Sequence, residues 1–198
     1  MKAESIVFAV AGMCFGVILG WVIGSQQGGR PAPAPVAAAG QTGDTQQRAV
    51  LDEARVQSLT TLLNSDPNNA GAAVQLANTY FDGERYDDAI KWYEQALKLD
   101  PKNVDASTDL GVSYYYRNQA DRALQQFDYS LKLNPSHTKT LLNQGIVLAF
   151  GKQDLNAAAE SWKKVVDIAP DSPEGQAAKR ALEGVAAAHQ QQGAAPGS

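Results

Sequence analysis

The sequence predicts an all-α fold, a stack of helix-turn-helix repeats with flanking helices behind one apolar N-terminal helix, and three observations carry the prediction. Pro67, Pro101 and Pro135 stand 34 residues apart, with a fourth proline at Pro170. Typed residues recur with them: Ala77 and Gly111, Tyr80 and Tyr114, Ala89 and Ala123, Tyr93 and Phe127 hold the same offsets from Pro101 and Pro135. A period of this length is the signature of a repeat array, and alternating small and aromatic residues let two antiparallel helices sit close and interlock. The third observation is an uncharged apolar run over residues 5–24.

That run, taken first, is 20 residues long. As a helix rising about 1.5 Å per residue it spans roughly the 30 Å of a hydrocarbon core. A cleaved signal peptide is the competing reading. The run exceeds the usual signal core of about 7–15 residues, and Trp21, Val22 and Ile23 crowd its exit end, so an uncleaved anchor is expected. Lys2 and the terminal amine, partly offset by Glu4, precede the run, and the first cation after it is Arg30. The positive-inside bias then puts the N-terminus in the cytoplasm and the rest outside it, as a single-pass protein of the inner (plasma) membrane, periplasmic in a bacterium. Gly12, Gly16, Gly20 and Gly24 fall on one face of this helix. Such a stripe lets a second helix approach to backbone contact, which suits a homodimer or docking on another membrane protein. Glycine is also common in membrane helices, so the stripe stands equally well as composition.

Residues 25–47 hold Arg30-Pro31-Ala32-Pro33-Ala34-Pro35 and then Gly, Ala, Gln and Thr, too little apolar bulk for a core. They are expected to be an extended, flexible tether. Over 48–66 the apolar residues Val50, Leu51, Ala54, Leu59, Leu62 and Leu63 follow helical spacing into Asp66-Pro67, predicting a flanking half-repeat. Units follow at 68–101, 102–135 and 136–170. The third keeps the order Gly145, Leu148, Ala158, Trp162, Pro170 with a period of 35, and its extra residue is expected in the loop around Gly151 to Asp154. Asp171-Ser172-Pro173-Glu174 starts a capping helix over 172–189 with a thin stripe of Ala177, Ala181, Leu182 and Val185. Residues 190–198 are expected to be a disordered tail.

The pattern resembles the tetratricopeptide repeat family and its W-L-G-Y-A-F-A-P series. It is matched at Leu76-Ala77, Tyr80, Ala89, Tyr93, Ala96 and Pro101, and again at Leu110-Gly111, Tyr114, Ala123, Phe127 and Pro135. The chain departs at Ala73, Ser107 and Leu141, where the family favours Trp, at Ser130 for the late Ala, and at Gln144 and Leu148 for Leu and Tyr. The resemblance implies a right-handed α-solenoid whose first helix in each unit lines a concave groove that grips a partner peptide or helix. Carried over position by position, the groove comprises Val74, Asn78, Phe81 and Asp82 from the first unit. The second supplies Asp105, Thr108, Asp109, Val112, Tyr115 and Tyr116, and the third Lys139, Leu142, Asn143, Ile146 and Phe150. Some members hold C-terminal carboxylates with a Lys/Asn/Arg clamp. Here only Asn78 and Lys139 match it, Val74 and Asp109 replacing the other groups. Tyr114 belongs to the core position of its unit.

Composition narrows the function classes. Residues 48–189 hold 15 Lys/Arg against 19 Asp/Glu, which offers no electrostatic footprint for nucleic acid. Cys14 is the only cysteine, so neither a disulfide framework nor a thiolate metal site is expected. His137 and His189 lack metal-ligand spacing, and no phosphate loop or nucleophile elbow is present. Glu84, Asp87 and Asp88 read as an acidic helix start rather than a catalytic pair. The expectation is a non-enzymatic, cofactor-free, membrane-tethered adaptor binding a protein segment. Its similarity to small anchored bacterial repeat proteins suggests assembly of envelope complexes, cytochrome c maturation among them. The alternatives are a self-assembling scaffold and an accessory subunit of a membrane enzyme.

Overall fold

Four helices of the repeat domain start where a short polar side chain folds back on the chain. Asp52, Asn69, Asn103 and Asp154 accept hydrogen bonds from the backbone N–H three residues on, at 2.9 Å in every case, satisfying donors that a helix start leaves open. The computed structural model describes residues 50–193, with side chains to residue 188. The predicted span 5–24 with Gly12, Gly16, Gly20 and Gly24, the linker 25–47 and the last residues of the tail lie outside these. Among the described residues there are eight α-helices and no strand: α1 (Glu53–Ser65), α2 (Ala70–Asp82), α3 (Tyr86–Leu99), α4 (Val104–Tyr116), α5 (Ala120–Leu133), α6 (Thr138–Ile146), α7 (Leu155–Ile168) and α8 (Pro173–Gly193). None of these is long and apolar enough to cross a membrane.

The helices pair in sequence: α2 with α3, α4 with α5, and α6 with α7, each hairpin packing on the next. Leu76, Ala77, Ala89, Phe127, Ala123 and Ala158 are fully buried, and Tyr93 and Trp162 are buried to within 2%. Each such large side chain contributes about 1.5–3 kcal/mol by leaving water. Close approach depends on the small partner. A Cβ on Gly111 would stand 2.5 Å from Phe127 Cε1, and one on Gly145 would overlap the Trp162 indole, whose Nε1 donates to the Leu142 carbonyl at 3.2 Å. The leading helix α1 buries Leu59 and Leu63 against Ala72, Ala73, Leu76 and Ala96, as the second helix of a preceding half-unit would. At the other end Ser172 caps α8 by accepting from Gly175 N at 3.0 Å. The helix then continues to Gly193, past the His189 at which the sequence ended it.

Two departures from the family series compensate one another. Ser107 and Ser130 are both fully buried. Ser130 Oγ donates to Ser107 Oγ at 2.7 Å, and Gln126 Nε2 donates to the same oxygen at 2.6 Å. A polar seam thereby joins α4 to α5 where the family series sets apolar Trp and Ala, and no member of it lacks a partner.

The extra residue of the third unit lies a turn earlier than the loop in which the sequence placed it. In the first two units the backbone N–H of Arg85 and Gln119 returns to the carbonyls of Tyr80 and Tyr114, five residues back, at 2.8 and 2.9 Å. In the third, Asp154 N returns to Leu148 O, six residues back, at 2.9 Å. The added residue is taken up by a π-helical turn over Val147–Gly151 that continues α6. Past it, Gln153 repeats the left-handed φ (57°) of Glu84 (57°) and Asn118 (61°), so the connecting turn keeps one geometry in all three hairpins.

Candidate functional site

Helices α2, α4 and α6 carry the positions assigned to a groove, and the structure divides those positions into two sets. Thr108, Leu142, Asn143 and Ile146 are buried, so their assignment to an open surface is corrected. Helix α6 packs against α4, α7 and α8, which together bury every residue from 140 to 146 but Gln144. Thr108 Oγ1 pairs with Thr140 Oγ1 at 2.7 Å across the α4–α6 contact, and the Asn143 amide donates to Lys139 O at 2.8 Å. Val74, Asn78, Phe81, Asp109, Val112, Tyr115, Tyr116, Lys139 and Phe150 are half-buried, while Asp82 and Asp105 are exposed.

Three of the assigned residues converge, and a fourth joins them. Phe81, at the end of α2, sets its ring edge-on to Tyr116 at 5.6 Å and to Tyr86 at 5.4 Å. Tyr86 and Tyr116 stack at 4.6 Å with 10° between planes, and Tyr115 lies 6.2 Å from Tyr116. Offset and edge-on ring pairs of this kind contribute about 0.5–1.5 kcal/mol each beyond area burial. Tyr86 opens α3 rather than lying on a first helix, so carrying over groove positions missed it. The signal available was an aromatic two residues after a turn that already followed Phe81. Burial raises the Tyr86, Tyr115 and Tyr116 hydroxyls above their ordinary value. For Tyr116 the neighbouring phenols and Glu84 add to the effect, to about 12. Tyr93, Tyr114 and Tyr129 donate to Asn78 Oδ1, Glu94 Oε1 and Pro101 O at 2.6, 2.6 and 2.8 Å. The hydroxyls of Tyr86, Tyr115 and Tyr116 make no hydrogen bond among the described residues.

Acidic groups run beside the rings. Asp82 follows Phe81, and although its side chain is exposed, partial desolvation pushes its carboxyl above the ordinary range against the pull of Arg55, with Asp109 reinforcing the rise. Asp109 is paired with Lys139 at 2.8 Å, both side chains 23% exposed. Burial still raises the Asp109 carboxyl, and Lys139 offsets this only in part. Asp105 lies 3.3 Å from His137 Nε2. The two groups that match the carboxylate clamp are therefore committed elsewhere, Asn78 to Tyr93 and Lys139 to Asp109. Tyr114 sits in the core as expected, held by Glu94 and by Arg122, whose guanidinium lies 4.0 Å from the ring centre.

A shallow depression lined by Glu84, Arg85, Tyr86, Asp87, Asp88 and Arg117 holds about 260 Å³, below the roughly 300–1,000 Å³ that drug-sized ligands occupy. Asp88 and Asp87 are engaged there by Arg85 and Arg117, each at 2.7 Å. Among the described residues no three His, Cys, Asp or Glu side chains gather as metal ligands.

Residues 77–116 match a model described as TPR repeat, and residues 108–173 match one described as Tetratricopeptide repeat. No curated protein sequence matches the chain. Among solved structures, the first TPR of Spaghetti (RPAP3) bound to HSP90 peptide SRMEEVD is 26% identical, with a TM-score of 0.56 over 63% of this chain and 96% of that one. The first TPR domain of the human RPAP3 protein is 25% identical, with a TM-score of 0.57 over 66% and 99%. MamA, at 18% identity and a TM-score of 0.55 over 70% and 88%, shares the fold. The helical domain is thus built of tetratricopeptide repeats, and no catalytic family is matched.

Proposed function

We propose that this tetratricopeptide repeat domain is a non-enzymatic adaptor that holds a peptide or helical segment of a partner protein against α2 and α4, and that residues 5–24 tether it to a membrane. The observation that carries the reading is the half-buried ring cluster of Phe81, Tyr86, Tyr115 and Tyr116, three of whose hydroxyls have no protein acceptor among the described residues. Aromatic rings with an apolar body and a polar tip are the side chains that dominate binding hot spots. A repeat domain 26% identical to this one is bound to a peptide, which supports the same use of the fold here. The membrane tether rests on the uncharged 20-residue run, and the expected site of action is the assembly of an envelope complex.

The test is a photo-crosslinking phenylalanine analogue at Tyr116 in the full chain, compared with the same analogue at exposed Tyr129 on α5. Recovery of one partner peptide from Tyr116 and not from Tyr129 is expected. Equal labelling from both positions overturns the assignment. Alkaline carbonate extraction reads the tether separately, since release of the full chain into the supernatant refutes it.

Self-assembly stands as a second reading because Leu62, Leu133 and Ile168 are 43%, 37% and 44% exposed on α1, α5 and α7. Light scattering of residues 45–198 across concentration decides it, a strict monomer excluding the reading.

A further inference from the structure

We infer that the segment held at this site is basic: an apolar peptide carrying Arg or Lys, and not a peptide with an acidic C-terminus. This rests on the binding reading above and adds the charge of the ligand. Beside the rings stand Asp82 and Glu84, and Asp109 and Asp105 follow toward the start of α4. Glu84 acts electrostatically on both Tyr86 and Tyr116, and Asp109 acts on Asp82 across the α2–α4 contact. The cations facing them are Arg55, which acts on Asp82, and Lys139, bound to Asp109 at 2.8 Å. His137 lies 3.3 Å from Asp105 through Nε2 and 2.6 Å from Thr140 Oγ1 through Nδ1. Arg85 and Arg117 line the depression with Glu84 and Tyr86 and are paired with Asp88 and Asp87 at 2.7 Å. The face thus carries six carboxylates (Asp82, Glu84, Asp87, Asp88, Asp105 and Asp109) against four Arg and Lys cations (Arg55, Arg85, Arg117 and Lys139), and a carboxylate ligand meets repulsion while a basic one is drawn in.

The rings act in the same direction. Phe81, Tyr86 and Tyr116 form one aromatic platform, with Tyr86 and Tyr116 parallel at 4.6 Å, and ring faces attract a guanidinium or ammonium group within about 6 Å. Arg122 already does this over Tyr114 at 4.0 Å within the protein. An arginine placed on the platform reaches Glu84 or Asp82 with its donors while its stem lies on the rings. The two groups that match the carboxylate clamp, Asn78 and Lys139, are held by Tyr93 at 2.6 Å and Asp109 at 2.8 Å. The related repeat domain bound to SRMEEVD holds an acidic peptide; on this face the charge preference is reversed.

Fluorescein-labelled peptides in which Leu alternates with Arg, Gln or Glu, titrated into the full chain in nonionic detergent and followed by polarisation, test this directly. The Leu-Arg peptide is expected to saturate at the lowest concentration and to weaken as salt rises. The double substitution Asp82→Asn, Glu84→Gln is expected to weaken it about fivefold, and Tyr116→Ala is expected to weaken it as well. Circular dichroism of each variant keeps loss of fold separate from loss of binding. If the Leu-Gln or Leu-Glu peptide binds as tightly and Tyr116→Ala still weakens it, the charge assignment is wrong and the groove survives. Leu-Arg binding indifferent to the Asp82, Glu84 pair also overturns the inference. If no peptide saturates, the binding reading falls with it.

Discussion

Gly145 and Gly184 both lie in helices, and the same substitution at each is expected to act with opposite sign. A Cβ on Gly184 meets nothing within 4 Å, whereas one on Gly145 meets Trp162 Cδ1 at 2.6 Å and Cε2 at 2.7 Å. Ala for Gly in a helix interior stabilises by about 1 kcal/mol. Gly184→Ala collects all of this. Gly145→Ala collects it too, but the buried indole, fixed by its bond to Leu142 O, must shift, and overpacking costs about 1–3 kcal/mol. The net effect runs from near zero to about 2 kcal/mol of destabilisation, so the two variants differ by about 1–3 kcal/mol. Each kcal/mol moves the midpoint by about 2–4 °C in a domain of this size. Thermal unfolding followed by circular dichroism should therefore raise the midpoint of Gly184→Ala and leave that of Gly145→Ala at or below the parent. A Gly145→Ala protein as stable as Gly184→Ala would refute the claim that glycine there sets the distance between α6 and α7.

Three further outcomes follow from the described geometry. Gln153 holds a left-handed backbone (φ 57°) that costs a side-chain-bearing residue about 1–2 kcal/mol; after the entropy of a more flexible unfolded chain is set against it, Gln153→Gly should stabilise by about 0.5–1 kcal/mol in urea titration. Tyr93→Phe deletes the 2.6 Å bond to Asn78 and should cost about 1 kcal/mol, read from the same titration. The raised Asp109 carboxyl contributes stability that is full below its ordinary 3.8 and lost as pH rises through the raised folded value. Asp109→Asn should therefore show a smaller fall in stability than the parent as pH rises from 3.8, and an equal fall disproves the assignment.

The repeat architecture was legible because its signals are local and periodic. The prolines mark hairpin ends, and the small-aromatic offsets of Ala77, Gly111, Tyr93 and Phe127 are the contacts that close each hairpin. Surface assignments failed where a neighbour outside the unit decides exposure. Thr108 faces Thr140 of the next unit, and Asn143 and Ile146 sit in a helix flanked by α4 and α8, which no position within a single repeat reveals. Tyr86 was missed because its side chain joins the cluster from the start of a second helix. The extra residue of unit three was counted correctly but misplaced, since a period of 35 reads the same whether the helix or the loop absorbs it. Ser107 and Ser130 looked like two separate defects, and only their 2.7 Å contact shows them to be one substitution shared between helices.

The widened turn at Val147–Gly151 has a bearing on how such chains can be edited. Because the surplus is swallowed before the reversal, everything downstream keeps its phase, and α7 and α8 stack as if the count had never changed. Excising one residue between Leu148 and Gly151 should then return a regular module rather than a broken one. Hybrids that join this unit to a 34-residue neighbour need no compensating adjustment at the junction.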